Sequence, residues 1–364
     1  MCRVYNTIGC LNTIQLELVK NDIDEFNSLN ELIDFQKNFH VNKEKIISDH
    51  NILIEEERKL LENEITEFNI LIPQRINDLE KQLRNKLDYL NQKIEDLPQA
   101  NSIVGIIKDY WINLVIHINF WYIQFLFPLR INFFKYQAKK LILNKKKRFE
   151  YLSTNFNDAV YKSSLLDLQK NERKNEIINT LNNTIYGAFG EQKVENVFKK
   201  LSDDYILIND FCYTFQTALK HNGDYIKSIQ IDHLLISLSG IFLIETKNWS
   251  NDSINNLDLR SPVEQIHRTS FALFKILSEI TSKSNLNFTR QNWGNRKIPV
   301  KNIIVFTGNV PKEQFQFIKI LGLTQLLSYI EYFNASFTPN ETQQIADSLI
   351  NLSRQTQVTS RLNI

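Results

Sequence analysis

Apolar residues recur at three- and four-residue spacings through the first half of the chain and give way to short apolar runs in the second. Between residues 11 and 100 this pattern predicts long helices. The most regular stretch is Ile76, Leu79, Leu83, Leu87, Leu90, Ile94 and Leu97, a heptad-like seam. Pro73 is expected to break or restart that helix, and Pro98 to end it. Upstream, Glu55–Leu61 is charge-dense and helical, with less regular apolar positions. A seam of this kind fits a coiled coil that dimerises or binds a partner. It fits equally an antiparallel hairpin that folds on itself, because periodicity defines the seam and not what fills it.

Residues 103–143 read differently. Tyr110–Leu129 is a 20-residue run without Asp, Glu, Lys or Arg, about the length of a membrane span. Basic residues follow it, from Arg130 through Lys135, Lys139 and Lys140 to Lys145, Lys146, Lys147 and Arg148, as in the positive-inside pattern. Asn113, His117, Asn119 and Gln124 interrupt the run and are unfavourable in hydrocarbon. They favour a buried or partner-covered helix over a span, with His117 an interior histidine. The basic cluster at 145–148 could touch phosphates or headgroups, or be a solvated helix face. Residues 147–183 return to polar helix and read as a connector.

From Ile185 the texture changes. Gly187 and Gly190-Glu191 lead into Val194, Val197, Phe198 and Leu201 at helical spacing, which puts Glu191 in the first turns of a helix, where a carboxylate is favourable. Tyr205–Asn209 reads as a strand and Phe211–Tyr225 as a connection. Two apolar strands joined at Ser239-Gly240 follow, spanning Gln230–Lys247. Asn248–Leu259 is a loop, Ser261-Pro262 starts a helix, and Val300–Thr307 is a fully buried strand. Helices over Thr324–Tyr332 and Glu341–Ser353 close the chain. This order of elements predicts a small mixed sheet flanked by helices.

Composition adds little and charge distribution adds more. The net charge of +2 is close to neutral, but residues 1–100 carry 12 basic and 19 acidic side chains and residues 101–150 carry 9 and 2. The three cysteines, Cys2, Cys10 and Cys212, have neither a disulfide nor a metal-ligand spacing, which suits a reducing, cytoplasmic compartment. No secretory leader is evident. Nor is there a Walker-type glycine loop, a Ser nucleophile elbow or a Cys/His zinc pattern.

Three charges interrupt the apolar strands at Gln230–Lys247. Residues two apart on a strand share a face, so Glu245 and Lys247 stand side by side while Thr246 points away. Asp232 lies across the hairpin within reach. Two carboxylates and an amine at the edge of an apolar ribbon are costly unless paired with one another or with a metal. His233 alternates away from Asp232, and His221 and His267 stand alone.

The set Gly187, Gly190-Glu191, Gln230-Ile231-Asp232-His233, Gly240 through Glu245-Thr246-Lys247-Asn248, and Ser261-Pro262 with Gln265 resembles the nuclease-related domain (NERD) family, a branch of the PD-(D/E)XK restriction-endonuclease-like superfamily. The resemblance covers roughly 185–352. Ser261 stands where that family often has Asn, and a Gly expected soon after Asn248 is missing. The chain as a whole therefore reads as α+β and multidomain: patterning gives a helical or coiled-coil arm over 1–100 and an apolar helix, basic cluster and connector over 101–184, and the resemblance implies a nuclease domain over 185–364. It implies hydrolysis of phosphodiester bonds, DNA as the expected substrate, and Mg²⁺, or Mn²⁺, as cofactor. Asp232 and Glu245 would be the primary metal ligands, with the Thr246 carbonyl a third and Glu191 an outer or second-metal carboxylate. Lys247 would position water and stabilise developing charge, and Gln265 would orient water or Lys247. The N-terminal helices would supply a homo-oligomer or partner contact, Lys145–Arg148 a weak nucleic-acid contact, and residues 110–129 a membrane association in the less favoured reading. Defence against foreign DNA is a common use of the superfamily. The competing reading is a structural ion pair in an inactive, nucleic-acid-binding or scaffold protein.

Overall fold

A computed structural model describes residues 1–96, 103–249, 260–283, 298–353 and 361–364. In chain order its elements are β1 (Arg3–Tyr5), α1 (Gly9–Lys20), α2 (Leu29–Lys37), α3 (Phe39–Glu95), α4 (Ile103–Thr154), α5 (Phe156–Thr180), α6 (Asn182–Phe198), β2 (Ile206–His221), β3 (Asp224–Ser237), β4 (Gly240–Lys247), α7 (Arg260–Lys283), β5 (Val300–Phe306), β6 (Ile318–Gly322), α8 (Leu323–Glu331) and α9 (Pro339–Ser353). These form two compact units: residues 1–39 with 173–364, and residues 40–172. The α+β class holds, with long helices in the first half and a small mixed sheet in the second.

In the first unit the six strands lie in the order β1-β2-β3-β4-β5-β6. β2, β3 and β4 form an antiparallel meander, while β1 joins β2, and β5 and β6 extend from β4, in parallel. Side chains of β4 alternate between two cores, as a central strand requires. Ile241 and Leu243 pack with Ile266 and Leu273 of α7 and with Ile345 and Leu349 of α9. Phe242 and Ile244 pack with Val194 and Phe198 of α6 and with Leu326 and Ile330 of α8. A third cluster joins Ile14 and Leu18 of α1 and Leu32 of α2 to Ile178, Ile185 and Ala188. Helix α9 starts on a capping box in which Thr338 and Glu341 exchange hydrogen bonds.

Several expectations are corrected here. Residues 1–39 are not part of a separate arm: β1 is an edge strand of the sheet and α1 packs on α6. Residues 211–225 are strand on either side of a two-residue turn, not a connection. Asn222 and Gly223 take φ of 49° and 94°, the geometry of a tight hairpin turn. Strand β6 was not anticipated. Helix α6 begins at Asn182, so Glu191 sits mid-helix and draws nothing from the positive helix end. Leu97, Pro98 and residues 250–259 of the expected loop lie outside the described residues.

The second unit is built on α3 and α4, which run antiparallel. Lys135 meets Glu80 at 3.5 Å, Lys145 meets Glu64 at 2.6 Å, and Arg148 meets Glu57 at 2.9 Å. Ile76, Leu79, Leu83, Leu87 and Leu90 form the half-buried stripe of α3. The seam is therefore that of a hairpin folded on itself. Pro73 does not interrupt α3. Phe68, Ile72, Ile76 and Leu79 stay in phase across it, and packing against α4 compensates the lost backbone bond. Near the other end, Ile54 and Leu61 of α3 pack with Leu152 of α4 and with Ala159 and Val160 of α5. Of the expectation that Tyr110–Leu129 is a buried or partner-covered helix, the buried half fails: no residue of the apolar window is buried within the chain, and His117 is exposed. One neighbouring helix covers one stripe, and this helix is apolar far beyond it.

Candidate active site

Strand β3 presents Asp232 and strand β4 presents Glu245 and Lys247 because the antiparallel register pairs His233 with Ile244, which brings Asp232 opposite Glu245. The backbone N–H of Thr246 donates to Asp232 Oδ2 at 2.8 Å. Lys247 Nζ donates to Glu245 Oε1 at 2.7 Å. Glu191 reaches the same cavity from α6. These four side chains, with Thr246, Asn248, Trp249, Tyr186 and Cys10, line about 720 Å³ of space.

Two glycines on α6 let the walls approach. A Cβ on Gly190 would lie 2.8 Å from Asn248 Cβ, and one on Gly187 would lie 2.9 Å from Cys10 Sγ. Gly inside a helix costs about 1 kcal/mol relative to Ala, so the close contacts are kept at some cost in helix stability. Asn248 fixes the end of β4 to α6 by donating to the Tyr186 carbonyl at 2.7 Å.

Cys10 was not foreseen as part of the site. Its Sγ donates to Glu191 Oε1 at 2.8 Å and its backbone N–H to Glu191 Oε2 at 3.2 Å. No sequence signal marks it, since it lies 181 residues from its partner. Asp210 is a further acid behind the site that spacing did not reveal. It holds φ of 47° and accepts hydrogen bonds from Asn12 and Gln230 at 2.7 and 2.8 Å.

The electrostatics follow from this crowding. Burial, with added repulsion from Asp210 and Glu245, raises Glu191 to about 7 against the pull of its Cys10 hydrogen bonds. Burial, then the charges of Glu245 and Glu191, hold Asp232 well above the usual carboxylate range. Burial acts to lower Lys247, but its Glu245 partner more than offsets this and the ammonium is retained. Burial and then Glu191 push the Cys10 thiol far up, so it stays protonated. His233 is fully buried, bonds Asn209 at 2.7 Å, and is lowered by burial to about 3. It is a neutral interior residue, as its alternation predicted.

Gln265 is not brought to this cavity. It is exposed on α7 and lines a neighbouring one of about 1160 Å³ with Gln230, Tyr213 and Arg268. Among the described residues, no contact ties it to Lys247. Of the basic cluster, Lys145 and Arg148 are engaged by glutamates of α3, while Lys146 and Lys147 remain exposed.

The donor set is chemically suited to a hard divalent cation. It offers carboxylate oxygens from three chain segments, beside one ammonium that neutralises only part of their charge. Among the described residues no three Asp, Glu, His or Cys side chains already stand as a cation site. Glu191 is held by Cys10 and Glu245 by Lys247, and those contacts must relax for the carboxylates to converge.

In comparisons with known proteins, residues 186–307 match the family model NERD, the nuclease-related domain. No curated protein and no solved structure matches the chain. The match runs from α6 to the end of β5 and includes Glu191, Asp232, Glu245 and Lys247, but not Cys10.

Proposed function

We propose that the nuclease-related domain of this chain is a metal-dependent nuclease that hydrolyses phosphodiester bonds, with DNA as substrate. One observation carries the reading: Glu191, Asp232, Glu245 and Lys247 line a single cavity although they come from a helix and two strands. Asp232, Glu245 and Glu191 would hold Mg²⁺, or Mn²⁺ in its place, with the Thr246 carbonyl as a further oxygen ligand. A bound cation of this kind activates water and neutralises charge at phosphorus and at the leaving oxygen.

The chain's own groups do the rest. Thr246 N–H fixes one oxygen of Asp232, whose side chain lines the cavity. Lys247 keeps its proton and places a positive charge where the phosphorane gains negative charge. Glu191, raised to about 7, can exchange a proton near neutral pH. The acidic crowding repels a phosphate backbone until it is neutralised, which makes cleavage conditional on the cation.

The alternative is an inactive scaffold in which Lys247–Glu245 is only an ion pair, and that 2.7 Å contact favours it. Plasmid, linear DNA and RNA incubated with Mg²⁺, Mn²⁺ or EDTA separate the two. The proposal expects cation-dependent cleavage that falls about 10²- to 10³-fold in Lys247→Ala. Cleavage by neither metal, or equal cleavage by wild type and variant, supports the scaffold. The proposal extends to defence against foreign DNA, on the family's common use alone. Phage plating on cells expressing wild type or Asp232→Asn tests that extension.

A further inference from the structure

Helix α4 turns two opposite apolar faces outward from its axis, and among the described residues only one has a partner. At 100° per residue, Ile116, Phe120, Ile123 and Phe127 fall in an arc of about 60°. These are half-buried, and this stripe faces α3. Directly opposite, Trp111, Ile118, Trp121, Tyr122 and Phe125 are 57–71% exposed. The outer arc spans about 160°, from Tyr110 round to Leu126, with His117 and Asn119 at its margins. It is more than twice as wide as the stripe that faces α3.

The same outer arc continues into charge. Beyond Leu129 it carries Lys139, Lys140, Lys146 and Lys147, all exposed. The three basic residues that pair with α3, Lys135, Lys145 and Arg148, fall outside that arc. Between Tyr110 and Phe149 there is no acidic residue. The exposed face of α4 is therefore aromatic and aliphatic for about 30 Å and then basic.

We propose that this face binds an anionic lipid surface, with α4 lying in the plane of the membrane interface. Its apolar arc sits at the headgroup–acyl boundary and its lysines contact the acidic headgroups. The geometry disfavours a span. Helix α3, paired along α4, exposes Asn77, Lys81, Arg84, Asn85 and Asp88 on its outer side, and these cannot enter hydrocarbon. Trp121 and Tyr122 lie in the middle of the run, whereas a span concentrates Trp and Tyr at its two ends and an interfacial helix carries amphipathic rings along its length. With α4 against the lipid, α3 faces water and the hairpin stays intact. The width of the arc favours a flat surface over a second copy's helix, and the run of lysines complements acidic headgroups.

Flotation of the full chain with vesicles of phosphatidylcholine alone, and of phosphatidylcholine mixed with phosphatidylglycerol, tests this. Recovery with the anionic vesicles and release by alkaline carbonate are expected. The variant Trp111→Glu/Trp121→Glu/Phe125→Glu should stay at the bottom of the gradient. Lys139→Glu/Lys140→Glu/Lys146→Glu/Lys147→Glu should lose the preference for anionic vesicles, by roughly five-fold or more per charge removed. All seven side chains are exposed, so both variants should keep the wild-type circular dichroism. Three results overturn the proposal: no recovery with either vesicle, resistance to carbonate extraction, which denotes a span, or lipid-free dimers in sedimentation velocity that the aromatic variant abolishes.

Discussion

Replacing Glu191 by Gln removes the charge of a carboxylate that the fold holds at an energetic disadvantage. Glu191 is 5% exposed, and its pKa rises from an ordinary 4.5 to about 7. The folded state thus binds its proton more tightly than the unfolded chain does. Below pH 4.5 both states are protonated and the group costs nothing. As pH rises from 4.5 to 7 the unfolded chain ionises first and the folded state loses relative stability. At 1.36 kcal/mol per unit, the loss is complete above pH 7 at about 3 kcal/mol. The glutamine amide cannot ionise, yet keeps an oxygen to accept from the Cys10 backbone N–H. In EDTA at pH 8 Glu191→Gln should therefore be the more stable protein. For a unit of this size, 1 kcal/mol corresponds to roughly 2–4 °C, so the gain approaches roughly 6–12 °C. At pH 5 the difference should fall to roughly a quarter of that. Scanning calorimetry at the two pH values measures both. Added Mg²⁺ should recover much of the difference in wild type at pH 8 and little in the variant. A variant that melts below wild type at pH 8, or an offset equal at both pH values, would refute the reasoning and make Glu191 an ordinary structural acceptor.

Three further outcomes follow from the packing. Gly190→Ala places a methyl against Asn248, 2.8 Å away, and should displace the end of β4; cleavage should fall at least ten-fold while the calorimetric transition persists, a loss on the scale of supporting contacts around a metal site. Removing residues 1–39 strips an edge strand and the α1–α2 part of a core cluster, so the truncated chain should show exchange-labile amides in β2 and α6 by hydrogen–deuterium exchange. Cys10 should alkylate slowly at pH 8, because burial and Glu191 suppress its thiolate, and Glu191→Gln should accelerate the reaction with iodoacetamide.

The parts of the site that were legible from residue order are those that strand alternation brings together. Asp232, Glu245 and Lys247 are a hairpin apart, so the period of two and one turn place them. Glu191 stands out through the spacing of the family resemblance, but its mid-helix position does not, because α6 starts earlier than its glycines suggest. Cys10 was invisible, since only tertiary packing of α1 on α6 brings it there. Asn222-Gly223 was a readable turn signal, masked by the polar texture of the strands around it. Pro73 shows a local breaker overridden by a continuous seam. The exposure of Tyr110–Leu129 could not be read from hydropathy, which gives the apolarity of a helix and not its neighbours.

The account stands most directly on Asp232, which lines the cavity with Glu191, Glu245 and Lys247. Wild type and Asp232→Asn should be compared side by side on plasmid DNA in Mg²⁺. Cation-dependent cleavage by wild type, falling at least about 100-fold in a variant that melts no lower, is the predicted result. Equal cleavage by both proteins, or none by either in Mg²⁺ or Mn²⁺, would contradict it.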